Sequence, residues 1–310
     1  MSGFKGRHII SMEDLSRGEI DKILEVTSTL RDRSDFSELN KGKMLASLFF
    51  EPSTRTRQSF ERAMINTGGE LQGFADPRTT SVSKSESLQD TIRIYHGYGF
   101  DVFVIRHPLK GAARLASYVV DVPVINAGDG PNQHPTQTLL DLYTIQQTQG
   151  KIDGVEIAMV GDLENGRTVH SLTEALTKYK VKKLYFVSSR DLAMPHQILA
   201  RCRKTGTPFE EVGRIEDVID SVDILYMTRV QKERFAGREG LYAKLARIYR
   251  LNASMLKGGR ENMKVLHPLP RVDEISKNVD DTPHAFYFPQ ARNGLFVREA
   301  LLSLVMGGVE

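Results

Sequence analysis

A single cysteine, Cys202, is all the thiol this 310-residue chain carries, which excludes a disulfide framework and a cysteine-based zinc site within it. Excess charge of one sign is missing too. The formal net charge is only +3, and no basic block interleaved with aromatics occurs, so nothing marks a nucleic-acid binder. No apolar run reaches bilayer-spanning length, and the first residues lack the basic-then-apolar order of a signal peptide. Repeats and low-complexity tracts are absent. The chain thus reads as a cytoplasmic globular protein with no nucleic-acid and no membrane partner, long enough for two domains with cores of their own.

What the chain does have is an unusual turn. Met44 to Phe50 is an apolar, strand-like run, and Phe60 and Met64 recur at helical spacing. Between them, Ser53-Thr54-Arg55-Thr56-Arg57 packs three hydroxyls and two guanidinium groups into five residues. A hydroxyl-rich strand-to-helix turn presents free backbone N–H groups and the positive end of a helix dipole, which suits a phosphate. Arg55 adds a planar, permanently charged fork for the same anion. The plain alternative is an ordinary N-cap at Ser53 or Thr54 with solvated arginines.

The rest of the chain alternates strand and helix. Ser11-Met12-Glu13-Asp14 opens a helix whose buried face is Ile20, Ile23, Leu24 and Leu30. Leu71 to Phe74 is a short strand. The polar stretch Pro77 to Glu86 is too long and hydroxylated for punctuation, so it is either functional or disordered. A helix follows from about Ser87 to Tyr95. The apolar run Phe100 to Ile105 ends in Arg106-His107-Pro108, and open α/β sheets place ligand groups at such strand ends. After a helix from Gly111 to Tyr118 and a strand from Val122 to Asn126, the glycine-rich approach Ala127 to Gln133 leads into His134-Pro135-Thr136-Gln137. His134 and Gln137 fall three apart around a helix start, hence near one another.

Gln147 to Lys151 reads as a hinge, after which the alternation restarts. The strand Val155 to Val160 runs into Gly161-Asp162-Leu163-Glu164-Asn165-Gly166-Arg167, a helix to Tyr179 and a strand Leu184 to Val187. Gly161 and Gly166 do not complete G-x-G-x-x-G, and no acidic ribose-binding residue closes the next strand, which disfavours a dinucleotide site. Arg167 reads instead as an anion clamp. Asp223 to Met227 is a strand ending in Thr228-Arg229-Val230-Gln231. Residues 235–260 read as a lid. Val265-Leu266 ends the last strand before His267-Pro268-Leu269-Pro270, and an amphipathic C-terminal helix from about Gln290 returns to the first domain. The predicted architecture is α/β, with two doubly wound parallel-sheet domains and the active site in the cleft between them. Residues 1–148 plus 286–310 form one domain and residues 149–285 the other. Arg55, Arg106, Arg167, Arg229 and the Leu269-Pro270 carbonyls all follow predicted strands. Several gathered guanidinium groups are tolerable only if anions balance them, so the substrates carry several negative charges.

Taken together, Ser53 to Arg57, Arg106-His107-Pro108, His134 to Gln137 and His267 to Pro270 resemble the aspartate/ornithine carbamoyltransferase family. Asp162 with Gly166 to Ser171, and Thr228 to Arg234, point to its aspartate-using members. The resemblance runs from about residue 5 to the C-terminus. It implies a first domain that binds carbamoyl phosphate and a second that binds L-aspartate. The products are N-carbamoyl-L-aspartate and phosphate, in the first committed step of pyrimidine biosynthesis, with no cofactor and no metal. By motif match, Ser53, Thr54, Arg55 and Thr56 hold the phosphate, and Arg106, Thr56 and His134 reach the carbonyl oxygen. Gln137 and the carbonyls of Leu269 and Pro270 accept from the carbamoyl NH2, the family having a cis bond before this second proline. Arg167, Arg229, Gln231 and Lys84 serve aspartate. The resemblance also implies that Lys84 and a loop hydroxyl, Thr80 or Ser81, act in the neighbouring subunit's site, making a homotrimer with shared sites the minimum active unit. Glu51 and Arg234 match positions that pair with Arg167 and its neighbours. Members of the family often dock a separate zinc-bearing regulatory chain in a larger assembly. Ornithine-using members carry cysteine where Pro268 stands and lack a Thr-Arg-Val-Gln element. A non-enzymatic binding or scaffold homologue normally loses a phosphate-loop or polar-loop residue, and this chain keeps them.

Overall fold

The computed structural model describes residues 3–33, 35–230, 237, 240, 242, 245 and 248–309. The chain forms two compact units, residues 1–140 with 293–310 and residues 141–292.

The first unit is built on four parallel strands: β1 (Met44–Phe49), β2 (Glu70–Phe74), β3 (Val102–His107) and β4 (Val124–Asp129). Their spatial order is β2-β1-β3-β4. Strands β1, β3 and β4 are almost wholly buried and read as continuous apolar runs, as parallel strands covered on both faces do. Helices α1 (Arg17–Arg31), α2 (Thr54–Asn66), α3 (Leu88–Gly97), α4 (Ala112–Ser117) and the start of α5 (Pro135–Gln149) alternate with them. Ser11 caps a separate 3-10 turn, Met12–Asp14, and α1 itself starts only at Arg17. The break is the extended pair Leu15-Ser16, where Ser16 and Glu19 form a capping box that restarts the chain as an α-helix. The later turns of the C-terminal helix α8 (Tyr287–Met306) belong to this unit.

In the second unit five parallel strands stand in the order β7-β6-β5-β8-β9. They are β5 (Glu156–Val160), β6 (Lys183–Val187), β7 (Phe209–Val212), β8 (Ile224–Met227) and β9 (Lys264–Leu266), with α6 (Arg167–Leu176) and α7 (His196–Thr205) between them. The sequence gives no periodic signal for α7 or β7. Only Leu199 and Cys202 of α7 are buried, and β7 reads Phe-Glu-Glu-Val at the sheet edge. Helix α5 runs through Gln149, so the first three residues of the predicted hinge, Gln147 to Lys151, belong to its last turn. The stop is Gly150 at φ +75°. Nine of the 26 residues of the predicted lid lie outside the described residues. No described helix is long and apolar enough to cross a membrane.

At the start of β5 the second unit holds a charged cluster. Arg260 binds Glu156 at 2.8 Å and Asp223 at 3.0 Å, and Lys182 binds Glu156 at 3.0 Å. Burial would raise both carboxyls, but hydrogen bonds led by Arg260 at Glu156, and by the Glu156 backbone N–H at Asp223, hold them below their ordinary values. A depressed carboxyl contributes stability above its unfolded-state pKa and loses it as pH falls through the folded value. Replacing Arg260 by leucine is therefore expected to cost about 2 kcal/mol at neutral pH. The gap to wild type should narrow as pH drops below about 4. Urea unfolding at the two pH values checks this; a gap independent of pH would contradict it.

Candidate active site

Both sheets are doubly wound. In the first, successive strands depart in opposite directions from the β1/β3 junction; in the second, from the β5/β8 junction. Ligands of open α/β sheets bind beyond the strand ends at such a reversal. Each reversal here is flanked by two arginines: Arg55 after β1 and Arg106 at the end of β3, then Arg167 after β5 and Arg229 after β8.

In the first unit, Phe50 N–H donates to the Arg106 carbonyl at 2.8 Å, tying the turn after β1 to the end of β3. Ser53 occupies the N-cap of α2 in extended conformation, yet its hydroxyl makes no capping bond. Ser53 therefore does not cap the helix with its side chain, and the first-turn N–H groups keep their capacity for an anion. Thr56 is buried, Ser53 half-buried, and Thr54 and Arg55 are exposed.

Arg106 is 8% exposed. Its Nη2 donates to Glu51 Oε1 at 2.9 Å and its Nη1 to the Ala127 carbonyl at 3.2 Å. Nε is buried without a hydrogen-bond partner among the described residues. The Ala127 contact arises from an irregular register. Ile105 pairs with Asn126 but His107 with Asp129, so β4 has one residue more than β3 opposite Arg106. This bulge, with Gly128 at φ +117°, turns the Ala127 carbonyl onto the guanidinium. Burial pulls Arg106 below its ordinary pKa, Glu51 pushes it part of the way back up, and the charge of Arg55 adds a smaller downward pull. It stays a cation, held by a carboxylate on one edge. Glu51 is thus a partner of Arg106 here.

His134 is buried and immediately precedes Pro135, the first residue of α5; its carbonyl accepts from the Gln137 N–H at 3.0 Å. The turn before it is organised by Asp129, whose carboxylate accepts from Asn126 Nδ2, Gln133 N–H, Gly111 N–H and Asn132 Nδ2 at 2.8 to 3.1 Å. Gly130 sits at φ +54°, where a Cβ would lie 2.5 Å from the Pro108 carbonyl. That close approach, with the Gly130 N–H donating to the His107 carbonyl at 2.9 Å, holds the turn against the end of β3. Asp129 was not singled out from the sequence, where Gly128-Asp129-Gly130 signals only a turn.

The polar loop is ordered. It forms two 3-10 turns, Pro77–Thr79 and Ser81–Lys84, the first capped by Asp76 and the second by Thr80. The Thr80 hydroxyl donates to the Pro77 carbonyl at 2.7 Å and accepts from Val82 N–H at 3.2 Å. Ser81 and Lys84 are exposed, and neither side chain makes a hydrogen bond or ion pair among the described residues.

In the second unit the loop after β5 is fixed by Gly161 at φ +115°, where a Cβ would meet the Thr228 carbonyl at 2.6 Å. Asp162 Oδ1 accepts from Asn165 N–H at 3.0 Å, and His170 Nε2 contacts the Leu163 carbonyl at 2.6 Å. Burial lowers the His170 pKa, so the ring is the neutral donor to that carbonyl. These bonds deliver Arg167 as the first residue of α6, half-buried, and Arg229 stands half-buried two residues past β8. Gln231 and Arg234 lie outside the described residues. After β9 the Leu269–Pro270 peptide is cis, and Leu269 is at φ +55°.

An α/β protein with an anion-ready reversal in each of two parallel sheets is the class these observations define. The carbamoyl-phosphate-binding domain model of the aspartate/ornithine carbamoyltransferases matches residues 7–147, and the model of their aspartate/ornithine-binding domain matches residues 153–305. The chain belongs to the aspartate/ornithine carbamoyltransferase family. It is 54% identical over 302 residues to the aspartate carbamoyltransferase catalytic subunit of Vibrio vulnificus, covering 97% of this chain and 96% of that one. The catalytic subunit of the M. jannaschii aspartate transcarbamoylase is 48% identical, with a TM-score of 0.91 over 97% of this chain and 98% of that one. The Trypanosoma cruzi aspartate transcarbamoylase solved with carbamoyl phosphate and aspartate is 38% identical, with a TM-score of 0.91 over 98% of each chain.

Proposed function

We propose that the chain transfers the carbamoyl group of carbamoyl phosphate to the amine of L-aspartate, giving N-carbamoyl-L-aspartate and phosphate for pyrimidine biosynthesis. The observation that carries this reading is the arginine pair at each sheet reversal, in a chain whose relatives act on these substrates. The first unit takes carbamoyl phosphate. The N-terminus of α2 with Ser53, Thr54, Arg55 and Thr56 holds the phosphate, Arg106 spans phosphate and carbonyl oxygen, and Thr56 and His134 donate to that oxygen. Gln137 and the Leu269 and Pro270 carbonyls accept from the NH2. Arg167, Arg229 and Gln231 take the aspartate carboxylates.

The neutral amine attacks the carbonyl carbon, forming the C–N bond as the bond to the phosphate oxygen breaks. Charge growing on the carbonyl oxygen meets donors already in place. The departing phosphate takes the amine proton, so no protein base is needed, and alignment of two reactants supplies much of the rate. The test is an assay of purified protein with carbamoyl phosphate and either aspartate or ornithine. Turnover of aspartate alone is expected; turnover of ornithine, or of neither, rejects the reading.

The site is shared within a homotrimer, with Ser81 and Lys84 supplied by the neighbouring subunit. Ser81 is favoured over Thr80 because the Thr80 hydroxyl is spent on its own turn. Mixing inactive Lys84→Gln and Arg55→Ala chains is then expected to restore activity in hybrid trimers, each with at least one intact site. Verified hybrids without activity would refute sharing. Relatives named as catalytic subunits support a larger assembly; we propose a separate zinc-bearing regulatory chain as its further member, which native mass measurement after co-purification decides. We propose that the reaction runs in the cytoplasm.

A further inference from the structure

The loop after β9 contains a buried dyad that the site residues above do not include. His267 is 2% exposed and Glu274 5%. The Leu269 backbone N–H donates to His267 Nδ1 at 2.7 Å. An amide N–H can only donate, so Nδ1 is the acceptor and Nε2 carries the ring hydrogen. Nε2 in turn donates to Glu274 Oε1 at 2.7 Å. The second Glu274 oxygen accepts from the Val272 and Asp273 N–H groups, both at 3.1 Å. Burial would raise the Glu274 carboxyl, but the His267 hydrogen bond, and after it the backbone N–H groups of Glu274 and Val272, hold it below its ordinary value. The imidazole is therefore clamped in one tautomer and one orientation.

Its backbone is clamped as well. His267 N–H donates to Gln290 Oε1 at 2.8 Å, Gln290 Nε2 to Asp141 Oδ1 at 2.6 Å, and the Tyr226 hydroxyl to Asp141 Oδ2 at 2.8 Å. Every member of this chain is buried. What the ring holds is the amide of Leu269, a residue in the left-handed region that side chains seldom adopt. The peptide plane on the far side of that residue carries the Leu269 carbonyl, and the next carries that of Pro270.

We propose that His267, oriented by Glu274, is a positioning residue that sets the Leu269 and Pro270 carbonyls as paired acceptors, so that the dyad governs selection of an acyl phosphate bearing an NH2 over an isostere without one. The inference rests on the functional reading above. A site built to accept hydrogen bonds rejects an analogue lacking the donor, because its own polar groups are left unpaired. That rejection is only as sharp as the placement of the acceptors. Acetyl phosphate is the probe, carrying CH3 where carbamoyl phosphate has NH2.

Three variants of the full-length chain separate positioning from general structure. His267→Ala removes the acceptor for the Leu269 amide. Glu274→Gln keeps the shape, but its amide sets a donor against either the ring N–H or the two backbone N–H groups. His267→Asn puts Oδ1 close to where Nδ1 stands, and an asparagine oxygen accepts from the N–H two residues on. Dissociation constants for carbamoyl phosphate, acetyl phosphate and inorganic phosphate are measured for each. In His267→Ala and Glu274→Gln the preference for carbamoyl over acetyl phosphate should fall about tenfold, the weight of one neutral hydrogen bond. Phosphate affinity should hold, and His267→Asn should keep most of the preference. An unchanged preference in Glu274→Gln, or equal loss of all three ligands across the variants, overturns the proposal. Should wild type fail to carbamoylate aspartate, the functional reading falls instead.

Discussion

Arg106→Ala is expected to lower kcat/KM for carbamoyl phosphate about 10³-fold, at the upper end of what removing one donor from a developing oxyanion costs. The size follows from its setting. The guanidinium is buried, is held by Glu51 at 2.9 Å and by the Ala127 carbonyl at 3.2 Å, and keeps a buried Nε without a partner among the described residues. It is already oriented and largely stripped of water, so its attraction for an anion is little screened and needs little reorganisation. Arg106→Lys should rescue less than tenfold, since a point charge on a flexible stem cannot reproduce a planar fork gripped on two edges. Steady-state formation of carbamoyl aspartate, with a melting curve showing that the fold holds, is the measurement. A loss under tenfold in the alanine variant would remove Arg106 from the chemistry.

Arg229→Ala should reduce kcat/KM for aspartate by roughly 10²–10³ while leaving inhibition by inorganic phosphate nearly unchanged. Truncating one partner of a desolvated charge pair costs about 3–4 kcal/mol, and each 1.4 kcal/mol is a factor of about ten. Arg229 follows β8 in the second sheet, whereas the phosphate turn follows β1 in the first. Initial-rate kinetics with phosphate as competitor report both affinities at once. Equal loss of aspartate use and phosphate inhibition would reject the division of labour between the sheets.

Much of this was legible in the sequence because buried parallel strands are apolar runs and their ligand groups follow as abrupt polar turns. Met44 to Phe50 and Asp223 to Met227 were read this way, and β1 and β8 lie within them. What stayed hidden depends on pairing between distant segments. The bulge that turns the Ala127 carbonyl onto Arg106 is a matter of register between β3 and β4, and neither strand alone encodes it. Glu51 looks like any carboxylate before a proline until the end of β3 lies beside it. Composition left the polar loop undecided between function and disorder. Its order comes from the Asp76 and Thr80 caps, each a single side-chain bond too local to register as periodicity. The Thr80 hydroxyl is engaged in its own turn, a difference from Ser81 that spacing could not show.

The arginine pairs at the two sheet reversals have a consequence for how such a protein can change. In the function proposed above, the phosphate answers to the segments after β1 and β3 and the recipient's carboxylates chiefly to those after β5 and β8, each rooted in its own set of strands. New recipients are therefore open to exploration by rewriting the segments after β5 and β8, with the phosphate end left intact throughout.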